Sequence, residues 1–557
     1  MTRSSRQLAL LSLPVEADDA GEHGQVFTRR WVVDLVLDLV AYTEDRDLAP
    51  LRLVEPACGA GSFLAVVAAR VGQSCRKHDR NLLDAQDAVR AFDLLPHNVA
   101  VARSQVESVL IADGWGRAAA AQISRAWIRQ ADYLLDEECA EPADVIVGNP
   151  PYVRLENVAD VRTAQYRQAW ATMTGRADLY VGFFEAALAS LRAEGVLGFI
   201  CADRWMRNQY GRELRRLVAD EHAVDVIVSM HDVDAFDSQV SAYPAITVLR
   251  KGAQGRVVAA QTDRTFTEEG ARQLYAWIRN GEDGNVNGRG FTATRLPHWF
   301  SGGDLWPSAS PERLRILENL TDRFVALGDR ASGVRVGIGV ATGADKVFIT
   351  KDDFLVEADR LLPLAMVRDV RSGVLRWSGC YLVNPWDNEG KLVDLSGYPQ
   401  LAAYLATHET TLRDRHVGRR QPNNWYRTID KIDSELTARA KLLIPDMNLR
   451  SEPVLDPGGC YPHHNLYFIS SDVWDLQVLG GLLISKVAEA FVDAYAVKMR
   501  GGTLRFQAQY LRRIPLPDHA CIAPQDKQAL TKAFERRDVI AATRAALRVY
   551  GIDHLPS

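Results

Sequence analysis

The chain has 557 residues, of which 47% are hydrophobic and 25% charged, with 66 Lys and Arg against 71 Asp and Glu. At ~100–200 residues per domain this length predicts about two to four domains. The composition excludes a disordered, collagen-like or coiled-coil chain. No stretch of about 18 apolar residues occurs, so no membrane-spanning helix is expected. The N-terminal run LALLSL is too short and too soon followed by acidic residues to be a secretory signal, and a cytoplasmic, monomeric protein is expected. Seven scattered cysteines without a C-x-x-C pair argue against a disulfide framework and a zinc site, and no metal ligand set is expected. Residues 1–250 carry a net charge of −9 and residues 251–557 a net charge of +4, so any nucleic-acid partner is expected on the second half.

In chain order, WVVDLVLDLV (31–40) reads as an apolar helix with Asp34 and Asp38 on one exposed edge. LRLV (51–54), VRAF (89–92), DVIV (144–147), VLGFI (196–200), VDVIV (224–228) and AITVL (245–249) read as buried strands. Helical patterns over 63–70, 97–110, 179–192 and 211–220 separate most of them. This alternation predicts an α/β fold: a mostly parallel sheet with helices on both faces. The Gly-, Asn- and Thr-rich stretch 256–310, with GEDGNVNGRG inside it, reads as a linker between a domain over 1–255 and a mixed α+β domain over 311–557. The chain ends in a charged amphipathic helix or helix pair over 525–550.

Four motifs carry chemistry. In LVEPACGAGSFL (53–64) a strand turns into a helix through Glu55, Ala57, Gly59 and Gly61. Glycines there allow a tight turn and close ligand approach, while the spacing fits neither a dinucleotide nor a triphosphate motif. Asp93 of FDLLP follows the next strand and fits two readings, a ribose carboxylate or a helix N-cap. Asp132 and Tyr133 pair a carboxylate with a ring. In DVIVGNPPYV, Asn149, Pro150, Pro151 and Tyr152 directly follow a strand. The two prolines stiffen the turn and leave carbonyl acceptors without N–H donors. The Asn149 side-chain oxygen adds another acceptor, and Tyr152 adds a flat ring. Such a site suits a planar amine.

With these blocks in this order, residues 24–250 resemble the catalytic domain of adenine-specific DNA methyltransferases of the TaqI-like, Eco57I-type gamma class. GQVFTRRWVVDLVLDLV resembles the family's N-terminal block, with Thr28 at the functional position. ADLYVGFFEAAL and GVLGFICADRWM resemble two middle blocks, although the family usually has a proline where Ala202 or Asp203 stands. FDSQVSAYPAITVL resembles the late block whose aromatic is here Phe236. Five looser blocks between 335 and 517 resemble the TaqI-like target-recognition domain. The short stretch before the first block favours a stand-alone enzyme over a nuclease fusion.

The resemblance implies a Rossmann-like sheet binding S-adenosyl-L-methionine and acting on double-stranded DNA, with a separately encoded restriction endonuclease as the expected partner. It implies that Thr28, Glu55, Ala57, Gly59, Gly61, Asp93, Asp132, Tyr133 and Asn149 hold the cofactor. Asn149 and the Pro150 carbonyl, with Pro151 and Tyr152, would hold a flipped adenine by its amine, and Tyr152 and Phe236 would sandwich the base. On that reading Phe236→Ala would leave stability within about 1 kcal/mol, far below the cost of truncating a buried Phe. Arg413, Arg415, Arg419, Arg420 and Arg427, with Trp425 and Tyr426 among them, form the densest basic–aromatic cluster, suited to phosphate contact. Two other readings stay open: methylation of RNA or of protein glutamine, which presents a similar amide nitrogen, and a non-catalytic DNA-binding subunit of a defence complex.

Overall fold

The computed structural model describes residues 28–237, 243–496 and 504–556. Residues 24–27 of the first resembling block, SQVSA (238–242) and RGGT (500–503) lie outside the described residues. Two compact units divide the chain, Met1–Arg315 and Ile316–Ser557. Among the described residues no helix is long and apolar enough to cross a membrane.

The first unit is built on ten strands: β1 (Leu53–Glu55), β2 (Val89–Asp93), β3 (Ile128–Gln130), β4 (Ala143–Gly148), β5 (Leu191–Ala202), β6 (His222–Ser229), β7 (Pro244–Lys251), β8 (Val257–Thr262), β9 (Asn285–Gly288) and β10 (Phe291–Leu296). Their order across the sheet is β3-β2-β1-β4-β5-β7-β6-β8-β10-β9. The five strands from β3 to β5 run parallel, β7 is antiparallel to both β5 and β6, and β8 is parallel to β6. The sheet is therefore mixed beyond β5, where strand periodicity alone predicts a mostly parallel one.

Successive side chains of a strand point to opposite faces, and the core follows that rule. Leu53, Val145 and Val147 join one apolar cluster, whereas Val54 and Ile146 join the other. Helices α1 (Arg30–Leu39), α2 (Ser62–Lys77), α3 (Pro96–Ala112) and α4 (Arg117–Trp127) supply the first cluster. On the second face lie α5 (Asp160–Ala169), α6 (Tyr180–Ser190), α7 (Arg204–Arg207) and α8 (Arg212–Glu221). Asp34 and Asp38 of α1 do not form a merely solvated edge. They take the largely buried Arg70 of α2 at 2.9 and 2.7 Å.

The stretch 256–310 is not a linker. Val258 of β8 pairs with Val226 of β6, and β10 pairs along its whole length with β8. A helix, α9 (Glu268–Asn280), packs Ala271, Leu274 and Trp277 into the first cluster. The glycines that suggest a loop serve two turns: Gly281, at φ 71°, ends α9, and Gly290, at φ 76°, turns the β9–β10 hairpin. Both positions are left-handed backbone that favours glycine.

The second unit holds two four-stranded sheets. One places Leu466–Ser471 between Val334–Ile338 and Lys441–Pro445, with Val454–Asp456 at the edge; the other centres on Tyr381–Val383 and Leu361–Ala365. Leu364, Leu401, Leu443 and Phe468 lie in its core. The C-terminal stretch is a helix pair, Pro524–Arg536 and Val539–Tyr550. Arg537 breaks it in the left-handed region, at φ 56°, and the Asp538 carboxylate caps the second helix by accepting from Ala541 N at 2.9 Å.

Candidate active site

The chain crosses over between β1 and β4, so the loops after these strands meet at the carboxyl edge of the sheet, where open α/β sheets take ligands. After β1, Gly59 and Gly61 adopt φ 52° and 96°. Gly61 also sits against α3, where an added Cβ would come within 3.1 Å of the Ala102 backbone. The loop is pinned by Cys58 N donating to Phe92 O at 2.8 Å.

Asp93 holds both sides of this turn. Its carboxylate accepts from Gly59 N at 2.9 Å, from Leu95 N at 2.9 Å and from Asn98 Nδ2 at 3.0 Å. The same side chain braces the glycine loop and the start of α3. Asp93→Ala is therefore expected to destabilise the cofactor-free protein by about 1–3 kcal/mol, seen as a lower urea midpoint. An unchanged midpoint would mean these hydrogen bonds contribute nothing.

A cavity of about 370 Å³ opens between the loops, lined by Thr28, Glu55, Asp93, Asp132, Tyr133 and Asn149 among others. That volume suits a small-molecule cofactor. Ala57, Gly59 and Pro151 also line it, whereas Gly61, Pro150, Tyr152 and Phe236 do not. Glu55 is 2% exposed, and among the described residues its Oε2 has no hydrogen-bond partner. Burial, and next the nearby Asp93, push its carboxyl well above the usual carboxylate range. An unpartnered buried carboxylate on a cavity wall is a place for a cation.

Asp132 is less open than its spacing suggests. It accepts from Tyr166 Oη at 2.9 Å and Leu134 N at 3.2 Å, and Arg162 Nε stands 3.7 Å away. Arg162 and Tyr166 also line the cavity. No sequence motif marks them, although their i, i+4 spacing puts them on one face of α5. The Tyr133 ring is buried and stacks on Phe183 at 5.6 Å and 18°.

At the end of β4, Asn149 Nδ2 donates to Thr28 Oγ1 at 3.2 Å, which fixes the facing of the amide. Thr28 is itself paired antiparallel with Phe236, and Arg29 N donates to Ala235 O at 3.0 Å. Tyr152 meets Phe236 edge-on, with centroids 6.3 Å apart at 73°. A planar base cannot lie flat on both rings in this arrangement, so the parallel sandwich expected for them is not the geometry seen. Phe236 is also 5% exposed and belongs to the first apolar cluster. The expectation of a stability-neutral Phe236→Ala is corrected accordingly: a cost of about 3–5 kcal/mol is expected, measurable by thermal or denaturant unfolding. In the block GVLGFICADRWM, the buried Asp203 carboxylate is bracketed by His231 at 2.7 Å and by Arg207.

In the second unit the arginine cluster separates by role. Arg415 donates to the carbonyls of Leu412, Thr342, Trp425 and Arg427 at 2.8–3.1 Å. It staples loops together, its guanidinium turned to carbonyls rather than to solvent. Arg413 is held by Glu409 at 2.7 Å and lies over Trp425. Arg427 bonds Gln421 at 2.6 Å and lies over Trp386. Arg419 and Arg420 are exposed, Arg419 with an ion pair to the equally exposed Asp414.

Residues 119–236 match the family model described as Eco57I restriction-modification methylase. The chain is 41% identical over 538 residues to the Type II methyltransferase M.PaeR7I of Pseudomonas aeruginosa, covering 95% of this chain and 92% of that one. It is 39% identical over 537 residues to M.XhoI of Xanthomonas vasicola, covering 96% and 98%. It is 37% identical over 517 residues to M.BstVI of Geobacillus stearothermophilus, covering 91% and 92%. Both of the latter are also named Type II methyltransferases.

Proposed function

The chain belongs to the Eco57I-type restriction-modification methylases, and from that premise we propose that it transfers a methyl group from S-adenosyl-L-methionine to the N6 amine of an adenine in double-stranded DNA. The observation that carries the reading is one cavity walled by Glu55 at the end of β1 and by Asn149 directly after β4. The residues fit the cofactor. The unpartnered buried Glu55 carboxylate suits a ligand that brings cationic groups, and Asp93 stands where a ribose diol is held in such sheets.

When bound, S-adenosyl-L-methionine supplies an activated methyl group on a sulfonium with a neutral leaving group. The protein then has to position the acceptor and stabilise the charge that develops on it. An adenine amine is a weak nucleophile because its lone pair is delocalised into the ring. The Asn149 side-chain oxygen and the Pro150 carbonyl would accept its two hydrogens. That draws the nitrogen toward tetrahedral geometry and stabilises the positive charge formed on it. The amine is out of reach inside a duplex, so the base must be turned out. Tyr152 offers a ring to stack on it, a contact worth about 1–3 kcal/mol. Phe236 would cover the other face only after the edge-on pair rearranges.

Duplex binding is assigned to the second unit and a separately encoded restriction endonuclease is the expected partner. Joint replacement of Arg419 and Arg420 by alanine should weaken duplex binding about equally for all sequences. It should also lower the slope of log affinity against log salt by about 1–2, measured by fluorescence anisotropy across a salt series. An unchanged slope would place the phosphate contacts elsewhere.

The reading is tested by offering labelled cofactor with duplex DNA, structured RNA and a cell protein fraction in parallel. Label is expected in duplex DNA. Label in RNA or on protein glutamine, with none in DNA, would overturn it.

A further inference from the structure

The unit of residues 316–557 carries a side-chain cluster that methyl transfer does not use. Asp345 opens the short helix Asp345–Phe348, and His463 and His464 occupy the turn between the strands Tyr461–Pro462 and Leu466–Ser471. Each brings one candidate ligand atom, and the three atoms lie within 4.8 Å of one another. His463 Nε2 is 3.2 Å from Asp345 Oδ2, and the two imidazole centroids are 4.0 Å apart.

Three observations point beyond an ordinary polar turn. First, His463 is 3% exposed, and among the described residues neither its buried Nδ1 nor the buried Nδ1 of His464 has a hydrogen-bond partner. Buried polar atoms are normally paired; His463 meets Asp345 through Nε2, so it is the unpaired Nδ1 of His464, on the neighbouring ring, that calls for a missing partner. Second, the frame is rigid. His463 N donates to Ala365 O at 3.0 Å, and His464 N donates to Val340 O at 3.1 Å. Thr342 Oγ1 donates to Asp345 Oδ1 at 2.5 Å and orients that carboxylate, as residues outside a metal's ligand set commonly do. Third, the 3.2 Å between nitrogen and oxygen is close to the separation of two ligands each about 2.0–2.2 Å from a tetrahedral ion.

We propose that Asp345, His463 and His464 form a binding site for a divalent transition cation of the zinc class, with solvent completing the coordination. The choice of ion follows from the donors. Two imidazoles and one carboxylate suit zinc, whereas calcium and magnesium take oxygen ligands. The half-exposed Asp345 side chain leaves one side open to water. Bound there, the ion cross-links segments 118 residues apart in sequence. It stiffens the loop that Arg415 also staples through Thr342 O. No local spacing betrays this set, since Asp345 lies so far along the chain from the two histidines.

The test uses the full chain, stripped of metal with a chelator and then titrated with Co2+ as an optical probe and with Zn2+ by calorimetry. The expected result is one saturable equivalent, visible Co2+ bands of a four- or five-coordinate nitrogen–oxygen site, and a Tm that rises with Zn2+. His463 is buried enough that its replacement risks the fold, so the half-buried His464 and the exposed Asp345 carry the comparison. His464→Gln and Asp345→Asn should each weaken binding by at least about tenfold while keeping the circular dichroism of the parent. Absence of saturable uptake at micromolar free cation overturns the proposal. So does uptake of undiminished affinity in both variants, which would put the ion elsewhere.

Discussion

Asn149→Ala is expected to bind S-adenosyl-L-methionine within a few-fold of the parent yet to lose turnover by about 10²–10³, the usual cost of one preorganised polar contact to a reacting group. The side chain lies at the end of β4, turned by its hydrogen bond to Thr28, and it would touch the amine rather than the bulk of the cofactor. Calorimetry gives the binding term, and single-turnover methylation of a duplex gives the chemical one. Near-normal single-turnover rates would remove Asn149 from the reaction. A loss confined to cofactor affinity would make it a binding residue only.

The second large effect concerns Glu55. In the folded, cofactor-free chain its carboxyl holds a proton more tightly than in the unfolded chain, because burial and then Asp93 raise its pKa. The folded state therefore binds more protons between the two values. The stability Glu55 contributes is fully present below the unfolded carboxylate value and is lost as pH rises through the folded one. Glu55→Gln should flatten that part of the stability profile and leave the cofactor-free protein at least as stable at neutral pH. Pairing Glu55 with a cationic ligand requires its ionisation. Where the site is still protonated, cofactor binding to the parent should thus release up to one proton, and binding to Glu55→Gln none. The variant should bind about 10–100-fold more weakly, the loss of one charge-assisted contact. Calorimetry in buffers of different ionisation enthalpy reads both quantities. Equal proton release by the two proteins, or equal affinity, would mean that Glu55 does not meet the cofactor's charge.

How far the sequence could be read depended on how one-sided each element's environment is. Strands β1, β2, β4, β5, β6 and β7 are mostly buried on both faces and appear as short, largely apolar runs. Helices α2, α3, α6 and α8 were located to within a turn at most of their edges. The strands β8 to β10 were not recognised. Only four residues long and alternating in exposure, Asn285–Gly288 sits among turn residues that look like a connector. In the second unit every described strand has two to six residues, too few for a period to show. At the site, Glu55, Asp93, Asp132 and Asn149 converge on one cavity as their motifs suggest. Partner bonds could not be read from spacing. Asp93 turned out to brace two loops, Phe236 to be core, and Arg415 to spend its donors on four carbonyls. Arg162 and Tyr166 were missed because a polar i, i+4 pair on an exposed helix reads the same with or without a cavity beneath it.

The most direct measurement takes duplex DNA methylated by the chain with labelled S-adenosyl-L-methionine, digests it to nucleosides, and identifies the labelled one by mass spectrometry. The expected product is N6-methyl-2′-deoxyadenosine alone, at one sequence context, and strongly reduced when Asn149→Ala replaces the parent. Label in 5-methyl- or N4-methyl-2′-deoxycytidine, or duplex DNA left unlabelled by a protein that binds the cofactor, would contradict adenine N6 methylation.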